Sequence, residues 1–296
     1  MIHRHPVADV RPCAVGDGAP CDFASMGRFT DKSGKVGEVS VVRCTRCGIG
    51  VSMPPLADVA FLYEGRESQD FQPDARGLAH RIKDIAFRRQ ARALLRQLGT
   101  APRTALDFGC GSGQFTRCLG DLLPGSEVTG ADFHDAPPAE LAGRRYFPIG
   151  DAPEHTGAFD LVSAFHVLEH DDDPQALLGR IAALAAPGGT IVLEVPNIDC
   201  FWTGLLGEAW DAWYLPFHRT HFSRPALRAL VERAGLTIEQ DLDICVPTMG
   251  RSIANAFGRP NSLLFLLAGV ALHPLQWLGE KLSGRPSAIR IVARKA

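Results

Sequence analysis

Between residues 104 and 195 short apolar runs alternate with stretches of helical character, and this alternation limits the chain to few folds. The runs Thr104–Phe108, Glu127–Phe133, Tyr146–Gly150, Phe159–Phe165 and Thr190–Val195 predict strands. Gln114–Leu123 and Pro174–Ala185 predict helices between them. Several of these strands are apolar at successive positions, as expected of a parallel sheet covered by helices on both faces. A helix at Arg224–Ala234, a strand at Leu236–Ile244 and a closing strand at Ala288–Ala293 extend the pattern. Ahead of it, residues 75–98 place Leu78, Ile82, Ile85, Leu94, Leu95 and Leu98 at helical spacing. Seven strands are counted, so the fold expected is a doubly wound α/β sheet. With 296 residues, 46% of them hydrophobic, the chain has material for one large domain and a small appendage.

The first of these strands runs into Asp107-Phe-Gly109-Cys-Gly111-Ser-Gly113. A strand that ends in glycines and then starts a helix brings backbone N–H groups to the carboxyl edge of the sheet, where ligands of such sheets bind. Glycine permits the left-handed backbone and close ligand approach that this turn needs. A dinucleotide fingerprint would require glycine at position 114, which is Gln114, and no lysine of a phosphate loop follows. Asp107 would repel a pyrophosphate but suits a ligand that carries positive charge. S-adenosylmethionine is one, with an ammonium, a sulfonium and no phosphate. Asp132 closes the second strand, where a carboxylate can accept hydrogen bonds from two ribose hydroxyls.

With these residues in place, the sequence resembles the class I S-adenosylmethionine-dependent methyltransferases, in particular bacterial small-molecule or glycan enzymes with an N-terminal zinc-ribbon-like segment. The resemblance rests on the Asp107–Gly113 loop, Asp132, Gly150-Asp151, the run Phe159-Asp-Leu-Val-Ser-Ala-Phe-His166-Val-Leu-Glu169-His170, the Ala186-Pro-Gly-Gly-Thr190 turn and His221-Phe-Ser223. It implies a seven-stranded Rossmann-like sheet of order 3-2-1-4-5-7-6. It also implies that Asp107, Gly109, Gly111 and Gly113 hold the methionine part of the cofactor, and Asp132 the ribose, with Phe133 beside it. Asp151 would hold the adenine amino group. The activity implied is methyl transfer to a small-molecule or glycan acceptor.

Methyl transfer from a sulfonium needs a base only where the acceptor carries a proton at attack. His166 and His170 are the candidates, and an imidazole is suited to that task near neutral pH; positioning of the loop is the competing role. His218 and His221 lie in an aromatic stretch that includes Phe201, Trp202, Trp210, Trp213, Tyr214 and Phe217, either an acceptor pocket or core packing.

Cys44 and Cys47 form a C-x2-C knuckle between strand-like runs, half of a zinc-ribbon site. Cys13 and Cys21 are the candidate partners; four thiolates would make the zinc structural. The expected division is 1–55 for this segment and 56–296 for the methyltransferase domain, with an apolar insertion at 245–287. The formal net charge of -2 speaks against nucleic acid as partner, although residues 76–96 carry a row of Arg and Lys, and leaves RNA methylation or silent cofactor binding as alternatives. Leu263–Leu272 is the longest apolar run, and His273-Pro274 is expected to end it short of membrane-spanning length. No secretory signal is visible, so a cytoplasmic protein is expected. The apolar insertion is expected to cap the domain, to pair two copies, or to touch a membrane peripherally.

Overall fold

The computed structural model describes residues 21–31, 33–56, 59–65 and 77–296. Eleven strands and eight α-helices occur among them. Seven strands build the main sheet: β4 (Thr104–Phe108), β5 (Glu127–Asp132), β6 (Arg145–Pro148), β7 (Phe159–Phe165), β8 (Ala185–Pro196), β10 (Leu236–Ile244) and β11 (Ala288–Lys295). Their order is β6-β5-β4-β7-β8-β11-β10, which is the order expected. Strand β4 runs parallel to β5 and β7, and β5 parallel to β6. The register sets Asp107 opposite Gly130 on one side and Ser163 on the other. Leu106, Ala131, Val162 and Leu193 are buried, as continuous apolar strands require.

The chain packs as two compact units. One contains, of the described residues, 63–65, 77–167, 176–193 and 292–296. In it α2 (Leu78–Leu98), α3 (Gln114–Leu122) and α4 (Pro174–Leu184) accompany β4 to β7. Helix α2 ends at Gly99, whose φ of 72° gives the left-handed turn that stops it. Its basic row is partly committed: Arg88 pairs with Asp84 at 2.9 Å and with Asp121 at 3.0 Å. Several element boundaries differ by a residue or two, and two differences matter here. The third predicted strand stops at Pro148, and Ile149–His155 is a 3-10 helix that contains Pro153. The predicted strand at Thr190 begins earlier, at Ala185.

The other unit contains, of the described residues, 21–31, 33–56, 59–62, 168–175 and 194–291. Strands β1 (Phe23–Thr30), β2 (Glu38–Cys44) and β3 (Gly50–Met53) form a small sheet that β9 (Thr220–His221) completes. The expected division at residue 55 therefore does not coincide with the packing. Gly50 and Val51 pair with His221 and Thr220. The Arg219 guanidinium donates to the carbonyls of Ser52 and Pro54 at 3.0 and 2.6 Å. Helix α1 (Ala60–Tyr63) is a single turn. Helix α6 (Arg224–Arg233) starts where Ser223 accepts the Ala226 amide, with a proline in its first turn.

The insertion forms α5-adjacent structure of its own: after α5 (Phe201–Leu206), helices α7 (Met249–Ala256) and α8 (Leu263–Ser283) pack as a pair. They cross at two glycines. A Cβ on Gly269 would stand 2.8 Å from the Gly250 nitrogen, so only hydrogen fits there. Pro274 does not end the helix as expected. It lies on the exposed side of α8, where the carbonyl that loses its amide partner is not sealed in a core. Helix α8 is thereby long and apolar enough to cross a membrane by length and composition. Its inner edge is instead docked by polar contacts. Gln276 donates to the Val246 carbonyl at 2.7 Å, and Glu280 accepts the Ser287 amide at 2.8 Å.

Candidate active site

The glycine loop joins β4 to α3 through three left-handed glycines, with φ of 75° at Gly109, 52° at Gly111 and 75° at Gly113. Two of them are also sterically confined. A Cβ on Gly109 would lie 2.5 Å from Val167, and one on Gly113 would lie 2.5 Å from Leu141. The Gly109 and Cys110 amides both donate to the Ala131 carbonyl, at 2.8 and 3.0 Å, which ties the loop to β5. Below the loop, the Asp107 carboxylate accepts the Thr116 hydroxyl at 2.6 Å and the Ser163 hydroxyl at 3.3 Å. Only 4% of Asp107 is exposed. Burial pushes its carboxyl up to about 7, against the lowering effect of the two hydroxyls. A cationic ligand would restore the charge that burial disfavours.

Asp132 stands at the end of β5, with one carboxylate oxygen on the Gly111 amide at 2.7 Å and the other on the Phe133 amide at 2.8 Å. A carboxylate can accept several hydrogen bonds at once, the chemistry that ribose hydroxyls call for. Phe133 is 58% exposed, with Tyr63 on one side at 5.6 Å and His134 on the other at 4.2 Å between ring centroids. The three rings gather beside Asp132, tilted to one another by 54° and 35°. The Tyr146 hydroxyl donates to the His134 carbonyl and holds the turn. Asp151 lies exposed in the 3-10 helix after β6. The loop, Asp132, Phe133 and Asp151 all belong to the unit that contains residues 77–167.

The two histidines flanking Val167-Leu-Glu169 are placed differently. His166 directly follows β7 in a left-handed conformation, φ 57°, which is sparsely populated by residues with a side chain and marks a backbone held by its surroundings. The next residue, Val167, covers Gly109, so His166 is fixed at the glycine loop. His170 belongs to the other unit. Its Nδ1 faces the Phe217 carbonyl at 3.2 Å, and its ring meets that of His218 edge to face at 4.8 Å.

The aromatic stretch resolves mainly as core. Trp210 and Trp213 join Phe29, Val41, Ile198 and Met249 in one buried cluster. A small cleft remains, lined by Asn197, Thr203, Trp210, Trp213, His218 and His221. His221 is buried, and that burial, with the nearby Arg219 charge, lowers its pKa to about 3. Ser52 donates to the His218 carbonyl at 2.7 Å and stands 3.0 Å from His221 Nε2, so it accepts from the neutral ring's N–H.

In the cysteine segment, Cys21, Cys44 and Cys47 bring their sulfurs within 4.8 Å of one another. Sulfurs bound to one tetrahedral zinc at ~2.3 Å stand about 3.8 Å apart. The Gly48 amide donates to the Cys44 carbonyl at 2.9 Å, and the Cys44 amide to Ile49 at 2.8 Å, closing a tight knuckle. The Cys47 thiol, then burial and Cys44, push the Cys21 thiol well above its ordinary value. A dication would reverse that shift. Cys13, the fourth expected ligand, lies outside the described residues.

Thr116, Ser163, Tyr146 and Tyr63 were not singled out in the sequence. Thr116 follows the loop by three residues in α3, a spacing that could have pointed to it, whereas Ser163 comes from β7, Tyr146 from β6 and Tyr63 from α1, elements that no local spacing connects to the loop.

A doubly wound sheet whose first β–α turn is a confined glycine loop, with a carboxylate ending the next strand, defines a Rossmann-like enzyme that binds a nucleoside cofactor. A model of the methyltransferase domain matches residues 78–241. A demethylmenaquinone methyltransferase of Thermus thermophilus is 32% identical over 190 residues, covering 54% of this chain and 84% of the relative. A ubiquinone biosynthesis O-methyltransferase of Xanthomonas axonopodis pv. citri is 31% identical over 160 residues, covering 48% and 66%. The 1,6-didemethyltoxoflavin-N1-methyltransferase structure of Burkholderia thailandensis, with S-adenosylhomocysteine bound, superimposes with a TM-score of 0.50 at 20% identity over 85% of this chain and 96% of that one, a likeness of fold. The chain belongs to the methyltransferase domain family, and it is an S-adenosylmethionine-dependent methyltransferase.

Proposed function

We propose that the protein transfers the methyl group of S-adenosylmethionine to a small-molecule acceptor, with the glycine loop holding the methionine part, Asp132 the ribose, Phe133 the adenine face and Asp151 the adenine amino group. The observation that carries this assignment is the buried Asp107. A carboxyl raised to about 7 beneath left-handed glycines fits a cationic amino-acid moiety and disfavours a phosphate. S-adenosylmethionine brings the sulfonium methyl. The chain's own contribution is to orient it, exclude water and, where the acceptor carries a proton, accept that proton at His166. His166 takes this part in preference to His170 because its backbone is pinned against the cofactor loop. The cysteine knuckle serves as a structural zinc site, with Cys13 as the fourth thiolate. The experiment is a screen for S-adenosylhomocysteine release with separate apolar and water-soluble metabolite pools, run beside Asp132→Ala. Turnover with neither pool, in protein that binds the cofactor, would refute small-molecule methylation; turnover only with polysaccharide would replace it by a glycan acceptor.

One observation favours an acceptor that partitions into lipid. Leu264, Leu267, Leu275, Leu278 and Leu282 are exposed along α8, and Val270 and Trp277 widen the stripe. At 100° per residue the exposed positions span about 160° of the helix, broader than the narrow seam of a paired helix. Lys281 is the one charged residue on this outer face, and Trp277 suits a membrane–water boundary. The acceptors in the names of the menaquinone and ubiquinone relatives are of this apolar kind. Flotation of the protein with vesicles containing anionic lipid is expected, and its loss in Leu264→Ser/Leu278→Ser. Unchanged sedimentation with vesicles present would refute the lipid contact.

A further inference from the structure

We propose that Glu169, His170 and His218 form a binding site for one divalent cation of the borderline class, separate from the cysteine knuckle. One ligand atom from each of the three lies within 4.8 Å of the others. Glu169 is 1% exposed and His218 is also buried. The hydrogen bonds of the rings decide what they present to each other. His218 Nδ1 faces the Ala212 carbonyl at 2.9 Å, and His170 Nδ1 faces the Phe217 carbonyl at 3.2 Å. A carbonyl only accepts, so each Nδ1 carries the hydrogen, and in the neutral ring each Nε2 carries the lone pair. Histidines that ligate metals are oriented in this way, one nitrogen given to a main-chain carbonyl and the other to the ion.

The Glu169–His218 separation supports a cation over a plain ion pair. Glu169 Oε1 stands 4.0 Å from His218 Nε2, beyond hydrogen-bond length. Ligands about 2.1 Å from one ion stand roughly 3–3.5 Å apart, so side-chain rotations that close the three by about an ångström seat it. Arg219 donates through Nε to Asp172 at 3.2 Å and through Nη2 to the Ser52 and Pro54 carbonyls at 3.0 and 2.6 Å, while its Nη1 and Glu169 Oε2 are both buried with no hydrogen-bond partner. The Arg219 backbone amide donates to the Glu169 carbonyl at 2.7 Å, which fixes the turn carrying Glu169 and His170 against the segment carrying His218. Two imidazoles and one carboxylate select Mn2+, Fe2+, Co2+ or Zn2+ over Ca2+, and leave coordination positions open. His218 also lines the small cleft with Asn197 and Thr203. The site stands independently of the methyl acceptor.

The probe is Mn2+, which thiolates hold poorly, titrated into full-length protein with free Mn2+ read by its electron paramagnetic resonance signal. Saturable binding of one Mn2+ per chain is expected. Glu169→Gln, which keeps the shape of the side chain, and His218→Gln should each weaken it at least tenfold, while Cys44→Ser leaves it unchanged. Cofactor binding measured on the same samples reports that the fold is intact; should one variant fail that control, His170→Gln replaces it. Absence of saturable Mn2+ binding, or binding that survives the replacement of Glu169, overturns the site. Failure of the cofactor assignment would appear separately, as lost S-adenosylmethionine binding with Mn2+ binding retained.

Discussion

The carboxyl of Asp107 should make the cofactor-free protein less stable as pH rises, and Asp107→Asn should remove that dependence. Burial lifts the group from an ordinary 3.8 to about 7. Between these values the folded chain keeps a proton that the unfolded chain has released. Stability is therefore full below about pH 4, declines as pH rises through about 7, and is level above it. At about 1.4 kcal/mol per pH unit the interval corresponds to about 4 kcal/mol. Asparagine has the same shape and no charge, and its amide can still meet the Thr116 and Ser163 hydroxyls. Allowing about 1 kcal/mol for poorer hydrogen bonds, the variant should be some 3 kcal/mol more stable than wild type at pH 8 and no more stable at pH 4. Urea unfolding at several pH values, with cofactor removed, measures the difference. Cofactor affinity should move in the opposite sense. Pairing with the ligand ammonium requires the ionised carboxylate, so wild-type affinity should fall up to tenfold per pH unit below 7 and binding should release a proton. Calorimetry in two buffers of different ionisation heat reads that proton. Parallel wild-type and Asn stability curves, with no proton release, would refute the placement of a protonated carboxyl beneath the loop.

Asp132→Ala should weaken S-adenosylmethionine binding by about 2–3 kcal/mol, the worth of two charge-assisted hydrogen bonds, and unchanged calorimetric affinity would contradict the ribose assignment. Gly113→Ala combines a left-handed backbone with a Cβ 2.5 Å from Leu141, so a loss of about 2–4 kcal/mol is expected in chemical denaturation; a neutral result would show that the loop relaxes freely. His221 is held neutral with a pKa lowered to about 3, so its contribution is present above about pH 6.5 and is lost as pH falls towards 3. His221→Gln should flatten that acid limb, a trend opposite in sign to that of Asp107 and separable from it only by comparing the two variants. Arg290 and Glu194 form a buried pair, each 2% exposed in its side chain; Arg290→Met should cost about 3–5 kcal/mol by stranding the carboxylate, and the double change Arg290→Met/Glu194→Leu should recover much of it. Elemental analysis should find about one zinc per chain held at the cysteine knuckle, lost with Cys44→Ser/Cys47→Ser.

What could be read from the sequence follows a physical division between local and non-local causes. The parallel sheet was legible because strands buried on both faces are apolar throughout, and the loop was legible because left-handed turns select glycine. Asp107 and Asp132 could be located for the same reason: each occupies a fixed offset from a strand end. The state of Asp107 was not legible, since its proton is held by burial and opposed by Thr116 and Ser163, which come from α3 and β7. That the N-terminal sheet is completed by Thr220–His221 was not legible, because a two-residue strand is far too short to show periodicity. Pro274 misled in a more instructive way. Proline ends helices where the amide it lacks would be missed; on the exposed side of α8 that condition does not hold, and whether a position is exposed is itself a product of packing. The same packing separates the two faces of α8, turning Gln276 and Glu280 inward and leaving the leucines outside. A helix that buries its polar residues and exposes its apolar ones inverts the usual arrangement of a water-facing surface. That inversion is the physical reason to look for a lipid contact on its outer face.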